Sequence, residues 1–271
     1  MNRLFAVVCM AALLFANAPC HGRTIVCEPA VEVSADSVQM LVELVRNGDA
    51  EACRVLAECY RDGKGVEKSF LNSMCMYGLY SGRVGKRVGD DELEGFYKGT
   101  HYEIIIEILD RPSRIKESKA LLPELEKASP ADAKVVKALM ECGNNDPTPE
   151  VIETLMQAAA EGSEIAVMFQ MTYYDKVGDN VSLEECLLRH ADKYPYFNLQ
   201  LCRMSLDKFY VSRDVADIER VLAYFYKADA YGMVTPRYAS EVLEVYEYLA
   251  GTPQYKCSAQ ELERLERLAR K

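Results

Sequence analysis

The sequence predicts an all-α protein, a right-handed superhelical solenoid of antiparallel helix pairs, and three observations predict it. From residue 36 onward the apolar residues fall three and four apart, the period of a helix with one buried face. These stretches run for about 11 to 18 residues and alternate with short joints carrying Gly or Pro. One apolar face also recurs, starting at Gly48, again 83 residues on at Ala131, and again 31 residues later at Gly162. Helix pairs repeated at about this spacing bury their stripes against one another as an array.

The first residues stand apart from that array. Arg3 precedes an apolar run from Leu4 to Ala16, too short for a membrane span of roughly 20 residues. A short basic start, a short apolar core and small residues after it predict a secretory signal peptide over residues 1–22. Ala16-Asn17-Ala18 offers one cleavage point and the region of Gly22 a second. Residues 23–35 then read as a linker and 36–271 as the solenoid. No later apolar run is long enough to span a bilayer, so the mature chain is expected not to cross a membrane. For a bacterial source, export would place it in the periplasm or outside the cell.

The stretch GDAEACRVLAECYRDGKGV, Gly48 to Val66, gives the unit its shape. Ala52, Cys53, Leu56, Cys59 and Tyr60 share one helical face. Asp49 is placed to cap the N-terminus, and Gly63 and Gly65 to stop the helix. Val66 plugs the corner, and Ser69 to Tyr80 reads as the returning helix. Asp132, Ala133, Leu139, Glu141 and Cys142 repeat the pattern, as do Gly162, Ala166 and Tyr174. KESKALLPELEKA and PEVIETLMQAAAEG supply a helix before each of these. SLEECLLRHADKY, FNLQLCRMSLDKFY, VADIERVLAYFYKADAYG, TPRYASEVLEVYEYLAG and SAQELERLERLARK continue the series. Only YEIIIEIL, residues 102–109, is rich enough in β-branched residues to suggest a strand, and its neighbours favour helix.

At Ala52, Leu56, Tyr60, Gly63, Gly65, Val66 and Tyr77 the chain resembles the Sel1-like repeat family, whose units carry A-x-x-x-L-G-x-x-Y-x-x-G-x-G-V and a later aromatic. QAAAEGSEIA, Gln157 to Ala166, looks like that family's junction between units. The clearest units span 48–82 and 148–178. Tetratricopeptide repeats share the architecture but lack the G-x-G-V corner. The resemblance implies a scaffold or adaptor that binds another protein or a peptide on its concave face, with no chemistry and no cofactor of its own. Cysteine-rich members of the family place a cysteine pair eight apart around the junction. Here position 45 is Val45, so that bridge cannot form at Cys53.

Composition narrows the partners. The net charge is −10 with acids and bases interspersed, which argues against a nucleic-acid surface. Nine cysteines follow Cys9, an odd number without any C-x-x-C, so neither a zinc ribbon nor a dithiol redox motif is supported. Cys53 and Cys75 lie eleven residues either side of Lys64, level on antiparallel helices, and are candidates for a cross-hairpin disulfide. Tyr173-Tyr174, Phe209-Tyr210 and Tyr246 with Tyr248 each pair a ring expected in the core with a second ring. Tyr174, Tyr210 and Tyr248, the second rings, are the candidate partner-binding aromatics.

The candidate chemistry is sparse. Ser113 and Lys116 form S-x-x-K, the spacing of a serine nucleophile and its lysine in penicillin-binding enzymes, with Tyr196 and Asn198 as a later Y-x-N. The K-T-G element is missing, since Lys98-Gly99-Thr100 has another order. The rival readings are therefore a cell-wall or β-lactam hydrolase acting through Ser113 and Lys116, and a purely structural subunit of an envelope complex. His21, His101 and His190 show no metal spacing, and His190 and Asp192 face different ways on a helix. No catalytic, cofactor-binding or metal-binding residue is expected.

Overall fold

Thirteen residues, Ala50–Asp62, form the helix that the stretch from Gly48 to Val66 calls for, and the chain ends it where glycine allows. The Asp49 carboxylate accepts from the Ala52 N–H at 2.9 Å, and Gly63 closes the helix with φ 74° in the left-handed region. Ser69 caps the returning helix, Phe70–Arg83, through the Asn72 N–H. Ala52, Cys53, Leu56, Ala57 and Cys59 face Phe70, Met74 and Leu79 in a buried seam. The small side chains let the two axes approach closely, and the Ser73 hydroxyl donates to the Ala57 carbonyl across the pair at 2.9 Å.

The computed structural model describes residues 34–85, 95–100, 102–103, 115–142, 147–251, 255 and 257–270. The signal peptide expected over residues 1–22, all but the end of the 23–35 linker, His21, His101 and Ser113 lie outside these residues, as does most of the 102–109 segment. Among the described residues there are twelve helices of 11 to 17 residues. They are α1 (Ala35–Arg46), α2 (Ala50–Asp62), α3 (Phe70–Arg83), α4 (Ile115–Ala128), α5 (Pro130–Cys142) and α6 (Pro149–Ala160). The second half holds α7 (Glu164–Val177), α8 (Asn180–His190), α9 (Tyr196–Ser212), α10 (Val215–Asp229), α11 (Pro236–Ala250) and α12 (Ala259–Ala269). Among the described residues there is no strand. The described residues are all-α, and consecutive helices pack on one another from α1 to α3 and again from α4 to α12.

Three joints are built alike. At Gly48, Gly162 and Gly232 the glycine N–H reaches the carbonyl three residues back. The next N–H reaches the carbonyl five back, as Asp49 to Leu44, Ser163 to Ala158 and Met233 to Ala228. All three glycines have positive φ, so each joint turns the chain in the same way from a second helix into the next first helix. This recurrence pairs α2 with α3, α7 with α8 and α11 with α12.

Packing also runs across the series. Glu164, at the start of α7, accepts from the Leu71 N–H at 2.8 Å and the Ser69 hydroxyl at 3.1 Å, so it caps α3 from a helix 93 residues away. Asn72 donates to the Lys193 carbonyl. The buried Asp132 carboxylate accepts from Ser129 and Ser163, joining the starts of α5 and α7. Arg46, closing α1, pairs with Asp229, closing α10, at 3.2 Å. The turn at Gly232 lies so close to α1 that a Cβ there would meet Val45 Cγ1 at 2.5 Å.

The apolar core divides in two. A large cluster runs from Val38 through the seam of α2 and α3 to Leu201 and Met233. A smaller one, from Cys202 to Leu268, gathers Phe209, Phe225, Val242 and Tyr246 where α9 to α12 meet. Tyr224, Val234 and Tyr238 touch both, so the two cores are continuous through the α10–α11 joint.

Candidate functional site

Four first helices carry a tyrosine at one place, three or four residues before the residue that closes the helix. These are Tyr60 before Gly63, Tyr174 before Gly178, Tyr210 before Arg213 and Tyr248 before Gly251. The closing residue is left-handed in the first three, with φ 74°, 73° and 57°. Arg213 thus holds a conformation that the other two assign to glycine. Among the described residues it is the only non-glycine with positive φ. A side chain in this region costs of order 1–2 kcal/mol against glycine.

What the arginine does there is visible in the rings around it. Its guanidinium carbon lies 5.9 Å from the centre of the Tyr210 ring and 5.6 Å from that of Tyr248. The buried Phe209 ring is at 5.6 Å on the same cation. Tyr210 and Tyr248 are 41% and 60% exposed, and Val211, next in the chain to Tyr210, is 88% exposed. The neighbouring carboxylates are Asp207, Glu241 and Glu244. Burial, then Glu241 and Glu244, push the Tyr210 phenol above its usual range, with Arg213 opposing them. The result is an aromatic platform split by one cation and flanked by acids.

The structure brings together two of the three expected aromatics. Tyr210 and Tyr248 meet at Arg213. Tyr174 is half-buried on α7, edge-on to Tyr173 with ring centres 5.8 Å apart, and no ring contact among the described residues joins it to the platform. Phe209 and Tyr246 are core rings as expected, whereas Tyr173 is only half-buried. Arg213 is absent from the sequence-based candidates, although Tyr210-Val211-Ser212-Arg213 stands in register with Tyr60-Arg61-Asp62-Gly63. An arginine where the repeat keeps glycine was the available signal.

The cross-hairpin disulfide is not formed: Cys53 and Cys75 are both buried and are not bonded to each other. The reason is register. Ser73 is level with Ala57, which sets Tyr77, two residues beyond Cys75, level with Cys53. Two residues turn a side chain about 200° round the helix axis. Cys53 instead lies against Arg83, whose Nη1 is 3.0 Å from its sulfur. Cys75 is sealed in the core, where burial pushes its thiol up to about 12.

Among the described residues the remaining candidates assemble no centre. Lys116 lies on α4, and Ser113, the other residue of the S-x-x-K, lies outside the described residues. His190 ends α8 with its pKa pulled down by burial and by Arg189 and Lys193, cations that give it no acid to work with. Among the described residues no group of His, Cys, Asp and Glu has a metal-holding arrangement. Nor is any described helix long and apolar enough to cross a membrane. No family model matches the chain, and no curated protein or solved structure compared with it matches either.

Proposed function

We propose that this chain is an exported scaffold or adaptor of the Sel1-like kind, a right-handed α/α solenoid that binds a segment of another protein in the cell envelope. The Tyr210–Arg213–Tyr248 platform is its docking point. The observation that carries this reading is Arg213, held in a strained backbone conformation while its cation lies over two exposed rings. Strain kept where glycine would relieve it is found where the side chain serves binding. The G-x-G corner, with Gly63 and Gly65 both at positive φ, and the three identical joints support the repeat reading.

The partner segment that fits is extended, apolar at its anchor and basic beside it. Tyrosine faces accept apolar side chains, prolines and cations, and Asp207, Glu241 and Glu244 supply the complementary charge. The test is a pull-down of the mature chain from its own envelope fraction, run beside Tyr248→Ala and Arg213→Gly. A protein retained by the wild type and lost from both variants supports the reading. A protein retained equally by all three, or none retained by the wild type, refutes it. Labelled penicillin, with Ser113→Ala as control, separates the hydrolase alternative.

A further inference from the structure

A cavity of about 300 Å³ lies where α1, α10 and α12 meet. Its charged wall is made of Arg46, Arg264 and Arg267 against Glu43 and Asp229, with Asn47 beside them. Three guanidinium groups face two carboxylates, an excess of one positive charge on a chain whose net charge is −10.

The groups are committed unequally. Arg46 hydrogen-bonds Glu43 at 2.7 Å and Asp229 at 3.2 Å. Asp229, only 3% exposed, is also approached by Arg264 Nη2 at 3.6 Å, beyond a hydrogen bond. Arg264 is fixed from its face, with its guanidinium carbon 3.7 Å from the centre of the Tyr226 ring. Apart from that long ion pair with Asp229, its N–H groups make no hydrogen bond among the described residues. Arg267, one turn further along α12, makes no hydrogen bond or ion pair among the described residues, and neither does the Asn47 side chain.

We propose that this cavity binds a small ligand through an oxyanion, a phosphate or carboxylate held by Arg264, Arg267 and Asn47. Like charges gathered in a concavity repel, and an oxyanion supplies the missing counter-charge. Guanidinium forks match the oxygens of either group in bidentate fashion, and an arginine already stacked on a ring loses little freedom in doing so. The volume is at the small end of ligand sites and admits a metabolite-sized molecule, with no room for a folded partner. The bound anion would tie the first described helix to the last.

Inorganic phosphate and succinate are the probes, each against chloride at matched ionic strength, read by thermal unfolding and by equilibrium dialysis of radiolabelled phosphate. The expected result is saturable binding and a saturable rise in Tm with at least one of them, and which one responds distinguishes phosphate from carboxylate. Arg267→Gln should weaken that binding by about tenfold or more, the loss of one charge-assisted contact, with an unchanged Tm in chloride. Arg270→Gln, at the residue that closes α12 and paired with Glu266, should bind as the wild type does. No saturable response to either probe overturns the proposal. So does an equal loss in both variants, which is the mark of general screening.

Discussion

Replacing Glu164 by alanine tests how a helix is capped from outside its own chain segment. The carboxylate receives the Leu71 N–H and the Ser69 hydroxyl, and both residues are almost wholly buried. Its removal leaves the Leu71 N–H without an acceptor, at about 1–3 kcal/mol for a buried donor. Part of this is offset, because burial disfavours the ionised carboxylate and its pKa is raised above the usual 4.5. Burial leads that shift and Asp132 adds to it, while Leu71, Lys193 and Ser69 oppose it. A net loss of about 2 kcal/mol is expected, read as a lower urea midpoint with unchanged slope. Glu164→Gln keeps an acceptor oxygen without the charge and should stay within about 1 kcal/mol of the wild type. The sign of the pH dependence follows from the raised pKa. The folded state keeps this proton to higher pH than the unfolded chain. The resulting stability is complete below 4.5 and is lost as pH rises through the folded value. Glu164→Gln should remove that slope. Alanine within about 0.5 kcal/mol of wild type, or glutamine as costly as alanine, would refute the reasoning.

Gly232→Ala combines a left-handed backbone with a Cβ driven into Val45, and should cost about 2–4 kcal/mol by urea unfolding. Arg213→Gly relieves about 1 kcal/mol of backbone strain and gives up a cation–π contact of similar size. Its Tm should therefore match or exceed the wild type's, and a large drop would mean that Arg213 serves the fold. On the acid side, Asp62 is drawn down to about 2 by Arg61 and Lys64, so its contribution is present above 3.8 and is lost as pH falls from 3.8 through about 2. Asp62→Asn should flatten that part of the stability profile. Alkylation of the native protein without reductant should modify Cys257, the half-exposed thiol, ahead of Cys53, Cys59, Cys75, Cys186 and Cys202. Unfolding in urea should make all of these react, and a mass showing Cys53 bonded to Cys75 would contradict the hairpin register.

The hairpin of α2 and α3 was legible because every signal in it is local. Asp49, Gly63, Ser69 and the apolar stripe all act within a few residues of where they stand. The helix series of the second half was legible for the same reason. The disulfide candidate failed on a finer matter, the placing of a turn centre one residue along, which spacing alone does not set. Glu164 reads in the sequence as an ordinary first-turn acid, and nothing near it announces a second helix to cap. The Arg46–Asp229–Arg264 cluster joins residues 183 positions apart, beyond the reach of any periodicity. Of the platform, the tyrosines were legible as second rings, and the arginine between them was not.

The contact of α1 with the turn after α10 has a consequence for how such a chain can be made and altered. In an open array each unit leans only on its neighbours, so units can be lost or gained at the ends and the remainder still folds. Here Val45 and Arg46 wait for Gly232 and Asp229, and Asp229 in turn is flanked by Arg264 of the final helix. A chain emerging from its N-terminus would leave these contacts of α1 unmade until α10 and the turn after it had been delivered. Deleting α12 should loosen α1 as well, at the opposite end of the sequence. Such a protein can vary its surface freely, but units between α1 and α10 cannot be added or lost without reopening the seam that joins them.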